Sequence, residues 1–291
     1  MALLPNFLVI GAMKAGTSSL YRYLRDHPQV FMPEPKELNF FVAERNWSLG
    51  RRWYEERFEG AESALAVGEA SPSYSMHPTF RDVPKRIADV IPDVRLIYVL
   101  RHPIDRMLSH YLATHHLRPI AGRERDPIQR ERRPIGRALL NDSQYLGASL
   151  YSMQIERYLE FFAPEQILVV VSEQLKRERV STLARIFDFL SVDPSSVPPL
   201  VDEEFNRTAG KRVRRRLGGR VEKLAPVRAL APLLPASVKR TAKRVLVTKE
   251  IDMSEARITD GLRDRLTDLV RDDVARLRSY VDDGFDGWGI A

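Results

Sequence analysis

The sequence predicts an α/β protein with a central parallel sheet covered by helices on both faces. Two observations carry this: short, near-continuous apolar runs that read as strands buried on both sides, and amphipathic helical stretches alternating with them. The first run, Phe7–Gly11, is followed by a helix over Thr17–Arg25 with Leu20, Tyr23 and Leu24 on one side. A weaker strand is predicted at Leu65–Gly68, and the strongest at Val94–Leu100, leading into a helix from Ile104 to about Leu117. Ile167–Val171 is a further strand, entered from an amphipathic helix over Leu150–Phe162 and left through one over Ser181–Leu190. The chain closes on a helix whose Leu262, Leu266, Leu269, Val270, Val274, Leu277 and Val281 are expected to share an apolar face.

With 291 residues, one domain with two interruptions is expected. Residues 118–137 hold seven arginines, three acids and three prolines without apolar periodicity, and read as a surface excursion. Residues 198–249 are basic and punctuated by proline. Within them, 211–249 carry 13 basic residues and one acid, a local charge of +12, so the +7 of the whole chain leaves −5 for the remainder. Such a run is a solvated surface or a contact for anionic membrane, with the apolar patch Val227–Leu234 amid the cations. Aromatics are not interleaved with those cations as a nucleic-acid stacking platform requires, so no nucleic-acid partner is expected.

The absence of cysteine excludes disulfides and thiolate metal sites and suits a reducing cytoplasm. No apolar run reaches the ~20 residues of a bilayer span. The apolar start, Met1 to Met13, lacks a charged n-region and reads as the first strand, not as a secretion signal. The expected location is the cytoplasm, with peripheral contact at the inner membrane face open to the basic segment.

The turn after the first strand reads GAMKAGTSSL, a P-loop-like arrangement with its lysine displaced. A Walker loop places Lys directly after its second glycine; here Lys14 precedes Gly16 by two residues. A strand, a glycine turn and a helix N-terminus still form an anion site, because the first amides of the helix lack intrahelical partners and the macrodipole is positive there. Thr17, Ser18 and Ser19 add hydroxyls, and Lys14 a cation. The second segment, LIYVLRHPIDRMLSHY, ends its strand in Arg101, where a magnesium-dependent nucleotide triphosphatase carries an aspartate. Arg101, with Ser109 eight residues on, makes a second anion site beside the first. Two such sites point to a nucleotide phosphorylated at two separate positions, without magnesium. A P-loop kinase of small molecules and a basic nucleic-acid-binding protein are the rival readings.

These residues resemble the sulfotransferases that use 3′-phosphoadenosine 5′-phosphosulfate (PAPS), and among them the bacterial and heparan-sulfate-type branch. GAMKAGTSSL is similar to the family's 5′-phosphosulfate loop and VLRHPIDRMLSHY to its 3′-phosphate segment. PKELNFF (35–41), GEASPSY (68–74), SLYSMQIERYL from Ser149 and DGFDGW (283–288) are weaker echoes. The resemblance implies a P-loop-like three-layer sandwich. It implies that Lys14, Ala15, Gly16, Thr17, Ser18 and Ser19 hold the 5′-phosphosulfate, and Arg101 and Ser109 the 3′-phosphate. Lys211 and Arg212, in NRTAGKR, match a loop that closes over the donor.

Lys14 would then neutralise charge on the leaving oxygens. Glu37, in KELNFF, matches the branch's base. Glu34 and Glu69 compete with it, as do His110, His115 and His116, since some members use histidine. Tyr151 is either a wall of the nucleotide pocket or a core residue. Two departures bear on the acceptor: Asn39 and Ala70 stand where the heparan-type branch carries a His and a Lys that grip a polyanionic sugar. The expected donor is PAPS, with no metal, and the acceptor a carbohydrate, a glycolipid or another small molecule.

Overall fold

The computed structural model describes residues 3–115, 126–196, 257–282 and 284–291, and the backbone of 212–214 and 248–250. Two compact units are present, one of Met1–Phe205 with Ile258–Ala291, the other of Asn206–Arg257. In the second, β6 (Arg212–Arg214) pairs antiparallel with β7 (Thr248–Glu250), with Arg212 opposite Glu250.

The first unit is built on five parallel strands: β1 (Phe7–Gly11), β2 (Val30–Phe31), β3 (Ala66–Ala70), β4 (Arg95–Leu100) and β5 (Ile167–Val171), in the order β2-β3-β1-β4-β5. Every residue of β1 and β3 is buried, and all of β4 after Arg95. Side chains alternate between faces along a strand, so uninterrupted burial means both faces are covered. The helices that cover them are α1 (Thr17–Arg25), α2 (Gly50–Glu55), α3 (Val83–Val90), α4 (Pro103–His115), α5 (Ile135–Asn141), α6 (Tyr151–Leu159), α7 (Ser172–Arg177), α8 (Arg179–Leu190) and α9 (Asp260–Leu277). Among the described residues no helix is long and apolar enough to cross a membrane.

β1 lies between β3 and β4, and the chain leaves it outward to β2 before returning. Connections therefore diverge on the two sides of β1, and the strands' carboxyl ends there form the crevice where open α/β sheets take ligands. Three turns meet at this edge. The loop after β1 stays hydrogen-bonded to the end of β4, since the Ala12 amide donates to the Val99 carbonyl at 2.6 Å. The turn after β3 presses on β1 closely enough that a Cβ on Gly11 would lie 1.8 Å from Ser75 Oγ.

The expected strands at Phe7–Gly11 and Ile167–Val171 are found with those limits. The third strand runs further than its apolar run, through Glu69 to Ala70, because sheet pairing to Leu8 and Val9 continues. Leu65, its expected first residue, is 59% exposed. The terminal helix buries Leu266, Val270, Val274 and Leu277, but Leu269 is 49% exposed and does not belong to the apolar face. The surface excursion expected over 118–137 is corrected in its described part. Asp126 and Glu131 are buried there, held by Arg45 and Arg133, and α5 begins at Ile135.

A close contact inside β3 gives a test of the sheet. A Cβ on Gly68 would fall 2.4 Å from the ring of Phe7, which is fully buried and has no room to swing away. Gly68→Ala is expected to destabilise the protein by about 1–3 kcal/mol, the usual range for overpacking, read from the denaturant midpoint.

Candidate functional site

The turn between β1 and α1 is shaped by two residues with left-handed backbone. Gly16 has φ 104°, a region open chiefly to glycine, and its carbonyl accepts from the Ser19 and Leu20 amides to start α1. Lys14 has φ 73° without that freedom, so its surroundings must hold it. Gly16 is the N-cap of α1 and has no side chain to spend on the first-turn amides, which face the crevice end of the helix with its positive dipole. Ala15 and Thr17 are buried; Lys14, Gly16, Ser18 and Ser19 are half-exposed. Ser172, at the end of β5, lies against Gly16, its Oγ 3.7 Å from where a Cβ would stand.

Two arginines hold consecutive carbonyls of this turn. Arg101, just beyond β4, donates from Nη1 to the Lys14 carbonyl at 3.3 Å. Arg106, on α4 and fully buried, donates from Nη1 to the Met13 carbonyl at 3.3 Å, from Nε to Ser149 Oγ at 2.6 Å and from Nη2 to the Tyr145 carbonyl at 2.6 Å. Carbonyl and amide of one trans peptide point in opposite directions, so anchoring the Met13 carbonyl turns the Lys14 amide away from the arginines. Arg101 is itself placed by Tyr151, a core residue whose hydroxyl donates to the Arg101 carbonyl at 2.7 Å. Ser109 lies one turn beyond Arg106 on α4, eight residues after Arg101, and is 5% exposed.

The structure thus brings together the turn bearing Lys14 and the segment bearing Arg101 and Ser109, which are far apart in sequence. Lys211 lies outside the described residues. Arg212 opens β6 of the second unit, and its backbone alone is described.

The candidate bases fall into distinct environments. Glu37 sits in the loop between β2 and α2, with φ 69° and its carboxylate 43% exposed, paired with Lys36 at 2.9 Å. Asn39 has φ 50° and is buried; its backbone amide donates to Ser71 Oγ at 2.9 Å and its Nδ2 to the Glu37 carbonyl at 2.6 Å. Ser71 follows β3 directly, so the Glu37 loop is fastened to the same sheet edge as the Lys14 turn. Glu34 is exposed and pairs with Arg25. Glu69 is buried beneath the Glu37 loop, accepting from the hydroxyls of Ser71, Tyr74 and Tyr54. Burial pushes its carboxyl up to about 7, against the pull of those hydroxyls and of the Lys36 charge.

The histidines are less suited to meet an acceptor. His110 is buried against Tyr145 at 5.0 Å, and burial, then the Arg106 and Lys14 charges, hold its imidazole neutral, well below the usual range. His115 stacks on Tyr111 at 5.6 Å, and His116 lies outside the described residues.

Three parts of the site escape sequence reasoning. Arg106 reads as one more polar residue on an amphipathic helix, and nothing local signals its burial. Ser172 belongs to a short helix, α7, that has no apolar period of its own. Glu173 joins the far end of the chain to the site: Oε1 accepts from the His102 amide at 3.2 Å and Oε2 from Trp288 Nε1 at 3.3 Å. The DGFDGW run was a signal for the Trp288 end of this bridge; none marked Glu173.

Residues 4–212 match the family model of the sulfotransferase domain. The chain is 32% identical over 203 residues to bifunctional heparan sulfate N-deacetylase/N-sulfotransferase 4 of Mus musculus, covering 66% of this chain and 23% of that protein. It is 31% identical over 191 residues to the mouse heparan sulfate glucosamine 3-O-sulfotransferase 3B1, covering 65% of this chain and 46% of that protein. The matches therefore span less than half the length of these relatives. A sulfotransferase from Alicyclobacillus acidocaldarius superposes with a TM-score of 0.64 at 26% identity, covering 99% of both chains. A mouse sulfotransferase complexed with PAP shares the fold, with a TM-score of 0.50 at 13% identity over 98% of this chain and 87% of that one.

Glu69 provides a pH test. Its ordinary value is 4.5, so between pH 4.5 and about 7 the unfolded chain ionises this carboxyl while the folded protein retains its proton. The contribution to stability is fullest below pH 4.5, declines as pH rises to about 7 and is level above that. Unfolding free energy measured from pH 4 to 8 should fall less steeply in Glu69→Gln than in the wild type across this window. Parallel profiles would contradict the raised value.

Proposed function

The chain belongs to the sulfotransferase domain family, and we propose that it transfers the sulfuryl group of PAPS to an acceptor hydroxyl, or in second place an amine. The acceptor class is a carbohydrate, glycolipid or other small molecule. The observation that supports this reading best is the hydrogen bond from the Arg101 guanidinium to the Lys14 carbonyl. It joins two cationic segments at one crevice, matching a donor with separated anionic groups. The Lys14–Ser19 turn holds the 5′-phosphosulfate in this proposal, and Arg101 with Ser109 the 3′-phosphate.

The donor supplies the sulfuryl group: the acceptor oxygen forms the new bond to sulfur as the bond to the 5′-phosphate oxygen breaks, and that oxygen keeps the electron pair. Lys14 places an ammonium where negative charge builds on the leaving oxygens, the point at which a fixed charge lowers the barrier most. Arg106, fully buried, and Arg101, half-buried, add positive potential at this turn. Glu37 takes the acceptor proton; its half-exposed carboxylate is open to an incoming hydroxyl, whereas Glu69 is enclosed. A small-molecule kinase is disfavoured because Arg101 stands at the end of β4, where magnesium chemistry needs a carboxylate. The basic stretch 211–249 is proposed to touch anionic membrane, and flotation with anionic liposomes at low salt tests this separately.

Adenosine 3′,5′-bisphosphate is expected to raise the melting temperature with concentration, and ATP with magnesium is not. The opposite ranking would reject the donor class. With PAPS as donor, Lys14→Ala should lower turnover by about 100-fold or more with a smaller change in donor KM. Glu37→Gln should also lose turnover, by a factor on the order of 100. A Lys14→Ala variant with normal turnover and raised KM would leave Lys14 a binding residue alone.

A further inference from the structure

The Glu37 loop has an unusual foundation. Glu37 and Asn39, neither of them glycine, both have left-handed φ, at 69° and 50°. Such backbone persists only where the surroundings over-determine it. Here the determining group is a side chain that the sulfuryl-transfer chemistry above does not use. The side chain of Arg45 is only 8% exposed, and its guanidinium is shared between two tasks. Nη1 donates to Asn39 Oδ1 and to Ser73 Oγ, both at 2.8 Å. Nε and Nη2 form a fork on Asp126, at 2.8 Å to Oδ2 and 3.3 Å to Oδ1. Phe80 closes one face of the guanidinium, its ring centroid 4.8 Å from the central carbon.

Each neighbour of Arg45 is held in turn. Asp126 is 7% exposed, and its Oδ1 also accepts from the Ile128 amide at 2.9 Å. Ser73 Oγ donates to Asn39 Oδ1 as well. Asn39 passes the constraint to the loop, since its Nδ2 holds the Glu37 carbonyl at 2.6 Å. Asn46 Nδ2 fixes the Leu38 carbonyl between them, also at 2.6 Å. A neutral amide such as Asn39 offers one acceptor and two donors, so it can face a guanidinium and a carbonyl at once; a positively charged imidazole there would repel Arg45.

We propose that Arg45, clamped by Asp126, is a positioning residue for Glu37. It acts through Asn39 and couples the Glu37 loop to the segment that leads into α5. The proposal deepens the function given above and rests on its assignment of Glu37 as base. Two consequences follow from the geometry. A lysine at position 45 keeps the charge but cannot span Asn39, Ser73 and both oxygens of Asp126, because it lacks the planar fork. An asparagine at 126 keeps the shape and removes the charge that fixes the guanidinium.

The full chain carrying Arg45→Lys, Asp126→Asn or the milder Ser73→Ala is compared with the wild type in two measurements. The first is amide hydrogen exchange of the protein with adenosine 3′,5′-bisphosphate bound. Exchange over Leu38–Phe41 is expected to quicken by about tenfold in the first two variants while Phe7–Leu20 stays protected. The second is release of adenosine 3′,5′-bisphosphate from PAPS with water as acceptor. Turnover should fall by about tenfold with donor KM within about twofold of wild type. Unchanged exchange over Leu38–Phe41 overturns the positioning role. So does wild-type turnover in Arg45→Lys and Asp126→Asn when Glu37→Gln has lost it, an outcome that leaves the base assignment standing. Wild-type turnover in Glu37→Gln overturns the base assignment, and with it the coupling to catalysis. Should Asp126→Asn fail to fold, Ser73→Ala carries the same two readouts.

Discussion

A fully buried guanidinium, spent on neutral oxygens, is the interaction on which the rest of the site depends. Arg106 gives its donors to Met13, Ser149 and Tyr145, and its Nη1 lies 3.4 Å from Nδ1 of His110, whose imidazole is kept neutral. Burying a charge is costly unless every hydrogen-bonding group is satisfied, and Arg106 satisfies that condition with carbonyls and a hydroxyl instead of a carboxylate. Its charge is therefore not cancelled locally. Placed behind the turn that carries Lys14, it contributes positive potential to the crevice while fixing the Met13 carbonyl. The same group supplies part of the site's electrostatics and part of its rigidity.

The second tie comes from the end of the chain, beyond the residues that match the family model. Asp273 on α9 accepts from the Ser152 and Met153 amides, both at 3.0 Å, and so caps the start of α6 with a carboxylate where the helix dipole favours one. The first residue of α6 is Tyr151, whose hydroxyl positions Arg101. Further on, Trp288 reaches Glu173, which also holds the amide beside Arg101. The C-terminal helix and Trp288 thus brace the elements on either side of Arg101.

This separation explains how much could be read from the amino-acid sequence. Buried parallel strands are legible because both faces must be apolar, and β1 and β5 are found at their expected limits. The Lys14 turn is legible because a glycine followed by hydroxyl residues marks the junction of a strand and a helix N-terminus. What pattern reading lacks is pairing over long separations. Asp126 sits among arginines and looks solvated, yet its partner is Arg45, 81 positions away, and the two side chains are 7% and 8% exposed. Glu69 lies in a plausible polar run, yet three hydroxyls from Tyr54, Ser71 and Tyr74 enclose it. Strand β2, with two residues, is too short to carry a period at all. Leu269 fits a helical spacing but is 49% exposed on α9.

The same reasoning bears on what the protein accepts. Position 39 is the place where the resemblance to heparan-type enzymes puts a sugar-gripping histidine, and here its side chain points inward to Arg45 and Ser73. Ala70, the other departure, is buried at the end of β3. Neither position can then contact an acceptor directly. The charge that remains beside Glu37 is Lys36, already paired with it at 2.9 Å. In the proposed function an acceptor hydroxyl reaching Glu37 must displace this pair, whose carboxylate is 43% exposed and whose lysine side chain is 16% exposed. Recognition by a dense array of fixed cations, as a polyanionic chain would need, is not built into the described part of this loop.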